Sequence, residues 1–276
     1  MENLKEKCYT LRQQVLDMIM HAKAGHIGGD MSVMETLVAI YDRMNVSAER
    51  PDDPDRDRFV LSKGHCVEAL YAVLADHGFL DIQDVIARYS CFASPYIGHP
   101  NNKIPGIEVN SGSLGHGLGV SVGMALAGKL DRRNYRVYTV MGDGELAEGS
   151  IWEAAMAASQ YRLDNLCAAI DRNRLQISGP TEDVMHQDDV RQRFEAFGWH
   201  VEVAEDGNCV DDLVRALDLA EHVKGQPTLV IAQTVKGCGS PLMENKPEWH
   251  HKVPSAEEYA KIKRDFQQRK EALAHE

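Results

Sequence analysis

The chain has 276 residues, 43% of them hydrophobic and 26% charged, which is enough to bury a sizeable core in one large α/β domain or two small ones. Its formal net charge of −12 leaves no basic field for nucleic acid or an anionic membrane, and no apolar run reaches the length of about eighteen residues that a membrane-crossing helix needs. The opening MENLKEKCYTLRQQ lacks the apolar segment of a secretory leader, and the six cysteines (Cys8, Cys66, Cys91, Cys167, Cys209, Cys238) form no C-x-x-C pair, a pattern of reduced thiols in a cytoplasmic protein.

Leu4, Leu11, Val15 and Ile19 recur at helical spacing and predict an amphipathic helix over residues 3–23. It ends in AKAGHIGGD, where Gly25, Gly28 and Gly29 bracket His26 and let the imidazole come close to whatever fills the space. Taken alone, the stretch also reads as a plain corner between helices. Ser32 is expected to cap a second helix running through Glu35 to Tyr41. ERPDDPDRDR is a solvated loop of mixed charge. RFVLSKGHCVEALYAVLADHG reads as a short strand, a Lys-Gly-His turn and a helix ending near Gly78. His65 then lies at a strand's carboxyl end or in a helix's first turn, where anions bind well. His77 reads as a capping cation at the helix C-terminus. His99 sits in PYIGHPNN, a loop stiffened by Pro95 and Pro100. In SGSLGHGLGVSVGMALAGKL a glycine-rich loop enters a helix of small residues; no strand precedes it and no acidic residue follows at the right distance, so a dinucleotide fingerprint is not supported.

The run from Tyr135 to Gln176 is the most informative. Arg136 to Met141 is an apolar, β-branched strand that stops at Gly142-Asp143-Gly144. Ser150 and Glu153 have the spacing of a capping box, and IWEAAMAAS is a strong helix former. Leu166 to Ile170 is a second buried strand, ending in Asp171-Arg172-Asn173. A crossover of this length makes two parallel strands of one sheet. Asp143 and Asn173 then lie just past the carboxyl ends of their strands, the edge where open α/β sheets bind ligands. A carboxylate and an amide oxygen there suit a hard divalent cation, Mg²⁺ or Ca²⁺, although Gly, Asp and Asn also mark ordinary turns. Further on, QDDVRQRFEAFGWHVEVAEDG predicts helix then strand, DDLVRALDLAEHVKG a helix, and QPTLVIAQTVKG a buried strand. An irregular loop with His250 and His251 follows, and SAEEYAKIKRDFQQRKEALAHE predicts a polar surface helix. The sum is an α/β fold with a mostly parallel sheet flanked by helices, in one domain over residues 1–276.

GDGELAEGSIWEA, with Asn173 a little under thirty residues after its GDG, resembles the thiamine diphosphate signature of the transketolase family. AGHIGG, LSKGH, SGSLGHGLG, GHP and the WHH loop resemble further transketolase segments, so that the resemblance covers essentially the whole chain. It implies the family's diphosphate-binding (PP-type) fold, with Asp143, Asn173 and the Leu175 carbonyl on a Mg²⁺ or Ca²⁺ that bridges the cofactor's phosphates. It implies that Gly142, Gly144, Gly112, Ser113 and Leu114 cradle the cofactor, and that His65 and His250 touch its diphosphate. His26, His65, His99 and His250 are implied to line the reaction channel, with His26 and His99 on substrate hydroxyls. Imidazoles suit this chemistry: a donor hydroxyl loses a proton as the adjacent carbon–carbon bond breaks, and the acceptor aldehyde gains one. Glu148 is implied to lie in the interior, hydrogen-bonded toward the active site of a second protomer.

Three positions depart from the family pattern: Arg172 where Asp or Asn is frequent, His116 where glutamine is common, and His251 where glycine is usual. Nothing in the chain resembles the glutamate that activates the cofactor's aminopyrimidine, which in the family lies on a separate domain. The resemblance therefore implies the N-terminal subunit of a split transketolase, assembled two-plus-two with a separate C-terminal subunit and acting on sugar phosphates. A fragment resembling 1-deoxyxylulose-5-phosphate synthase, a 2-oxo acid dehydrogenase component, and a catalytically silent scaffold are the alternatives.

Overall fold

In the computed structural model, which describes residues 3–273, the first helix is α1 (Leu4–Ala22), opened by Asn3, whose side chain accepts the Lys5 N–H, and closed by Lys23 in the left-handed conformation. α2 (Ile27–Arg43) starts at His26, ahead of the expected cap. Ser32 lies inside that helix, its hydroxyl bonded to the Gly29 carbonyl and to the Asp171 carboxylate. Capping preference is a local rule, and here a partner far along the chain overrides it. β1 (Arg58–Leu61), a tight turn over Gly64–Cys66 and α3 (Val67–Asp76) follow as expected. α4 (Ile82–Arg88), capped by Asp81, has no counterpart in the sequence reading.

α5 (His116–Leu130) leads to the central crossover of β2 (Val137–Gly142), α6 (Gly149–Gln160) and β3 (Leu166–Arg172). The expected capping box does not form. Glu148 is the N-cap and makes no side-chain cap bond, while Ser150 donates instead to the Gly115 carbonyl at 3.0 Å. A hairpin of two very short strands, β4 (Leu175–Gln176) and β5 (Gly179–Pro180), precedes α7 (Thr181–Val184) and α8 (Val190–Ala196). β6 (His200–Ala204), α9 (Val210–His222), β7 (Thr228–Gln233) and α10 (Ala256–Leu273) complete the chain. Residues 274–276 of the expected tail helix lie outside the described residues.

The main sheet is parallel throughout, in the order β1-β2-β3-β7-β6. Side chains alternate between two helical layers, as a sheet covered on both faces requires. Tyr138 and Val140 join a core with α1, α2, α3, α9 and α10, whereas Val137 and Met141 join a second core with α5, α6 and α8. α10 closes over α1, with the Tyr9 and Phe266 rings 6.3 Å apart and Lys270 donating to Thr10 at 2.8 Å. Among the described residues no helix is long and apolar enough to cross a membrane.

Candidate functional site

The carboxyl ends of β1, β2 and β3 open into a cleft of about 390 Å³, completed by the loop before α5, the hairpin β4–β5 and the loop after β7. Its lining contains His26, His65, His99, His250, Gly112, Leu114, Gly142, Asp143, Gly144, Asn173 and Leu175. Residues spread from position 26 to 250 thus converge at one edge of the sheet: His26, His65, Asp143 and Asn173 follow strand ends or stand at helix starts, and His99 and His250 come from loops that fold over them. Two glycines make the convergence close. A Cβ on Gly28 would stand 2.6 Å from the Trp249 carbonyl, next to His250, and one on Gly29 would stand 2.6 Å from the Cys66 sulfur.

One corner of the cleft is built of oxygen. Asp143 is 1% exposed and Asn173 5%. A carboxylate offers about four acceptor sites. Asp143 Oδ1 accepts the Gly144 N–H at 2.8 Å, and Oδ2 accepts from Arg172 at 3.3 Å and from the Arg174 N–H, which leaves one site open. Asn173 Oδ1 accepts only the Leu175 N–H, at 3.1 Å. Leu175 is paired in register with Pro180, which has no N–H to offer its carbonyl. Gln176 Oε1, at the same corner, is buried with no partner. Burial, then the nearby Asp171 carboxylate, pushes the Asp143 pKa up to about 6, as expected for an anion short of a cation. Among the described residues no group of three His, Cys, Asp or Glu is placed to hold a metal. One carboxylate, one amide oxygen and one main-chain carbonyl make a donor set that fits a hard cation completing its shell with phosphate and water. Arg172, where the family frequently has Asp or Asn, pairs with both Asp143 and Glu182, the latter at 2.7 Å.

The cleft also holds two buried lysines, Lys63 and Lys236, that the sequence reading passed over. Lys63 pairs with Asp171, which also accepts from Ser32 at 2.6 Å, Asn173 at 3.2 Å and Thr234. Burial works against the Lys63 charge, but Asp171 outweighs it and raises the pKa; Asp171 is lowered in turn. Lys236, 2% exposed, has no such carboxylate and donates to His250 Nδ1 at 3.1 Å. Burial and the charge of Lys63 lower its pKa. A cation held in this condition favours an anionic ligand.

The histidines form a cluster centred on His26. Its ring lies 5.4 Å from that of His65, 6.1 Å from His99, 5.7 Å from His250 and 4.7 Å from His251. His251 is exposed, whereas His250 lines the cleft. Burial and the neighbouring positive groups lower the pKa of His26 to about 4 and of His250 to about 3, and lower that of His65; burial alone lowers that of His99. His26 Nδ1 is buried without a partner. His26, His65, His99 and His250 are thus all held toward the neutral imidazole form.

In the single chain Glu148 is exposed at the start of α6, outside the cleft lining, where a second protomer can reach it; the buried carboxylate of the same loop is Glu145, 3% exposed. Glu145 Oε1 accepts from Ser62 and from the Gly115 N–H at 2.7 Å, and Oε2 accepts the Gly142 N–H at 3.0 Å. Two sequence expectations need correction. Ser113 is exposed beside the cleft and does not line it. His77 is the C-cap of α3 but no capping cation: partial burial lowers its pKa, and its ring packs 5.4 Å from Tyr41.

Residues 4–273 match the family model described as transketolase, thiamine diphosphate binding domain. The chain is 48% identical over 278 residues to a protein of Phocaeicola vulgatus named as one subunit of apulose-4-phosphate transketolase, an alignment that covers 100% of this chain and 98% of that one. It is 43% identical over 255 residues to the transketolase of Homo sapiens, covering 91% of this chain but 40% of the human one. A crystal structure of a transketolase mutant from Pichia stipitis superposes with a TM-score of 0.90 at 28% identity, covering 99% of this chain and 44% of that one. The chain therefore spans nearly all of the Phocaeicola relative and less than half of the other two.

Proposed function

The chain belongs to the transketolase family, as its thiamine diphosphate-binding domain, and we propose that it is the N-terminal subunit of a two-part transketolase. Joined to a separate C-terminal subunit, with two copies of each, it transfers a two-carbon ketol unit from a ketose phosphate to an aldose phosphate. Residues 1–276 form one diphosphate-binding domain, and the pyrimidine-binding and C-terminal domains belong to the companion. The near-complete alignment with a protein that is itself named as one transketolase subunit supports the division. A cytoplasmic location is supported by six free cysteines, four of them buried.

The observation that carries the reading is the meeting of four neutral histidines, two buried lysines and an oxygen-lined corner in one cleft. Thiamine diphosphate would supply the nucleophilic, electron-accepting carbon that amino-acid side chains lack. Asp143, Asn173 and the Leu175 carbonyl would hold the divalent cation, with Mg²⁺ favoured by the small number of protein ligands and Ca²⁺ also compatible. Lys236, with His65 and His250, offers donors to the anionic end of the ligand. His26 and His99 remain for the sugar. As a neutral base lining the cleft, His26 takes the proton of the donor's hydroxyl and returns it to the oxygen of the acceptor's carbonyl. The narrow cleft orients both sugars and limits water around that exchange.

The test is reconstitution. Mixed with its companion, thiamine diphosphate and Mg²⁺, the chain should catalyse two-carbon transfer, which chelation abolishes. Full turnover by the rigorously purified chain alone would overturn the two-part reading. Decarboxylation of pyruvate in place of ketol transfer would overturn the reaction.

A further inference from the structure

Two fully buried carboxyl groups stand behind the histidine cluster, and the chemistry above does not use them. Asp30 comes from the first turn of α2 and Glu68 from the first turn of α3, helices that both start at the cleft. Glu68 Oε1 accepts the His26 backbone N–H at 3.2 Å and the Tyr89 hydroxyl at 2.6 Å. Asp30 Oδ1 accepts the Ala69 N–H at 3.0 Å. The remaining oxygens, Asp30 Oδ2 and Glu68 Oε2, are buried and have no partner other than each other. Gly25, at φ +149°, allows the approach: a Cβ there would stand 2.7 Å from Glu68 Oε1.

Two adjacent buried carboxylates cannot both stay ionised, since each charge is desolvated and repelled by the other. The surrounding groups do not resolve this. Lys63 is taken by Asp171, His26 and His65 are neutral, and Tyr89, Tyr71 and Cys66 are protonated, their pKa values raised by burial. A hydrogen bond between the two carboxyls requires a proton on one of them. Burial raises Asp30 well above its usual value and Glu68 to about 7. The single negative charge that remains sits at two helix N-termini, where it is favourable.

We propose that Asp30 and Glu68 share one proton, and that this acid–carboxylate pair is the positioning element of the histidine cluster. It ties the His26 main chain to the helix that follows His65. Tyr89 and Tyr71, with rings 6.3 Å apart, extend it to a third loop, because the Tyr71 hydroxyl donates to the carbonyl of Ile97, two residues before His99. The proton sharing stands independently of the proposed reaction; its effect on turnover rests on that reading.

Difference infrared spectra of the full chain at neutral pH test the sharing. The parent should show one protonated-carboxyl stretch, sensitive to D₂O, that disappears in Asp30→Asn and in Glu68→Gln, because each amide supplies an N–H in place of the proton. Its absence from the parent, or its survival in both variants, overturns the pair. Positioning is read from the His26 and His65 ring resonances by NMR, which Glu68→Ala should shift and Glu68→Gln should leave in place; the opposite result overturns it. In the reconstituted enzyme Glu68→Ala should lower kcat by about tenfold or more while thiamine diphosphate affinity changes by less than about twofold, and Glu68→Gln should restore kcat. Glu68→Met, of similar length but without an acceptor, replaces the alanine variant where the latter fails to fold.

Discussion

The Glu145 carboxylate accepts the backbone N–H of Gly115 at 2.7 Å, so one buried side chain after β2 holds the loop that enters α5. The same carboxylate takes donors from Gly142 and from Ser62 at the end of β1, and three walls of the cleft meet on it. Glu145→Ala should leave those donors unsatisfied at a cost of about 1–3 kcal/mol each in the worst case, seen as a lower urea midpoint and weaker cofactor binding. Glu145→Gln should retain most of both. A midpoint unchanged in the alanine variant would refute the brace.

Lys63 and Asp171 make a second buried pair. Lys63→Met strands the Asp171 charge and should cost roughly 3–5 kcal/mol of stability. The double variant Lys63→Met, Asp171→Asn should recover much of that loss, because no charge is left unpaired. Simple addition of the two single effects in denaturant titrations would show that the groups act separately.

The oxygen corner makes a prediction about linkage. Thiamine diphosphate at a hundred times its Kd should stabilise the chain by about 2.7 kcal/mol, and only with a divalent cation present. Asp143→Ala and Asn173→Ala should abolish this increment even before the companion chain is added. An equal thermal shift in parent and variants would place the cation elsewhere.

His26 and His250, with pKa values near 4 and 3, should stay uncharged in an NMR titration down to about pH 5. In the unfolded chain they titrate near 6.5, so acidification from 6.5 toward 4 adds protons to the unfolded state first and stability falls. Glu68 acts in the opposite sense between about 7 and 4.5, because the folded state binds its proton first. The double variant Asp30→Asn, Glu68→Gln lacks that counterweight and should lose stability more steeply on acidification than the parent. Equal slopes would contradict the assignment.

The apolar runs before Gly142 and after Asn165 announce buried strands, and the glycines beside His26 and Asp143 mark places of close approach. Those features are local, and they made the sheet's ligand-binding edge legible. The interior charges were not. Lys63, Glu68, Glu145, Asp171 and Lys236 look like solvated residues until distant segments close over them, and Ser32 looks like a cap until Asp171 arrives beside it. A weak signal does exist: Lys63 and Glu68 interrupt an otherwise apolar stretch, and Lys236 lies just past a buried strand, as Asp143 and Asn173 do. α4 escaped because its seven residues bury only Val85 and show little periodicity.

The seal of α10 over α1 has a consequence during synthesis. A ribosome releases the first helix long before the last one exists, so Tyr9, whose ring packs on Phe266, must wait for its cover. β1 waits too, since its neighbour in the sheet, β2, is made much later. The nascent chain should therefore depend on chaperones until translation is nearly finished, and become protease-resistant only once Phe266 has left the exit tunnel.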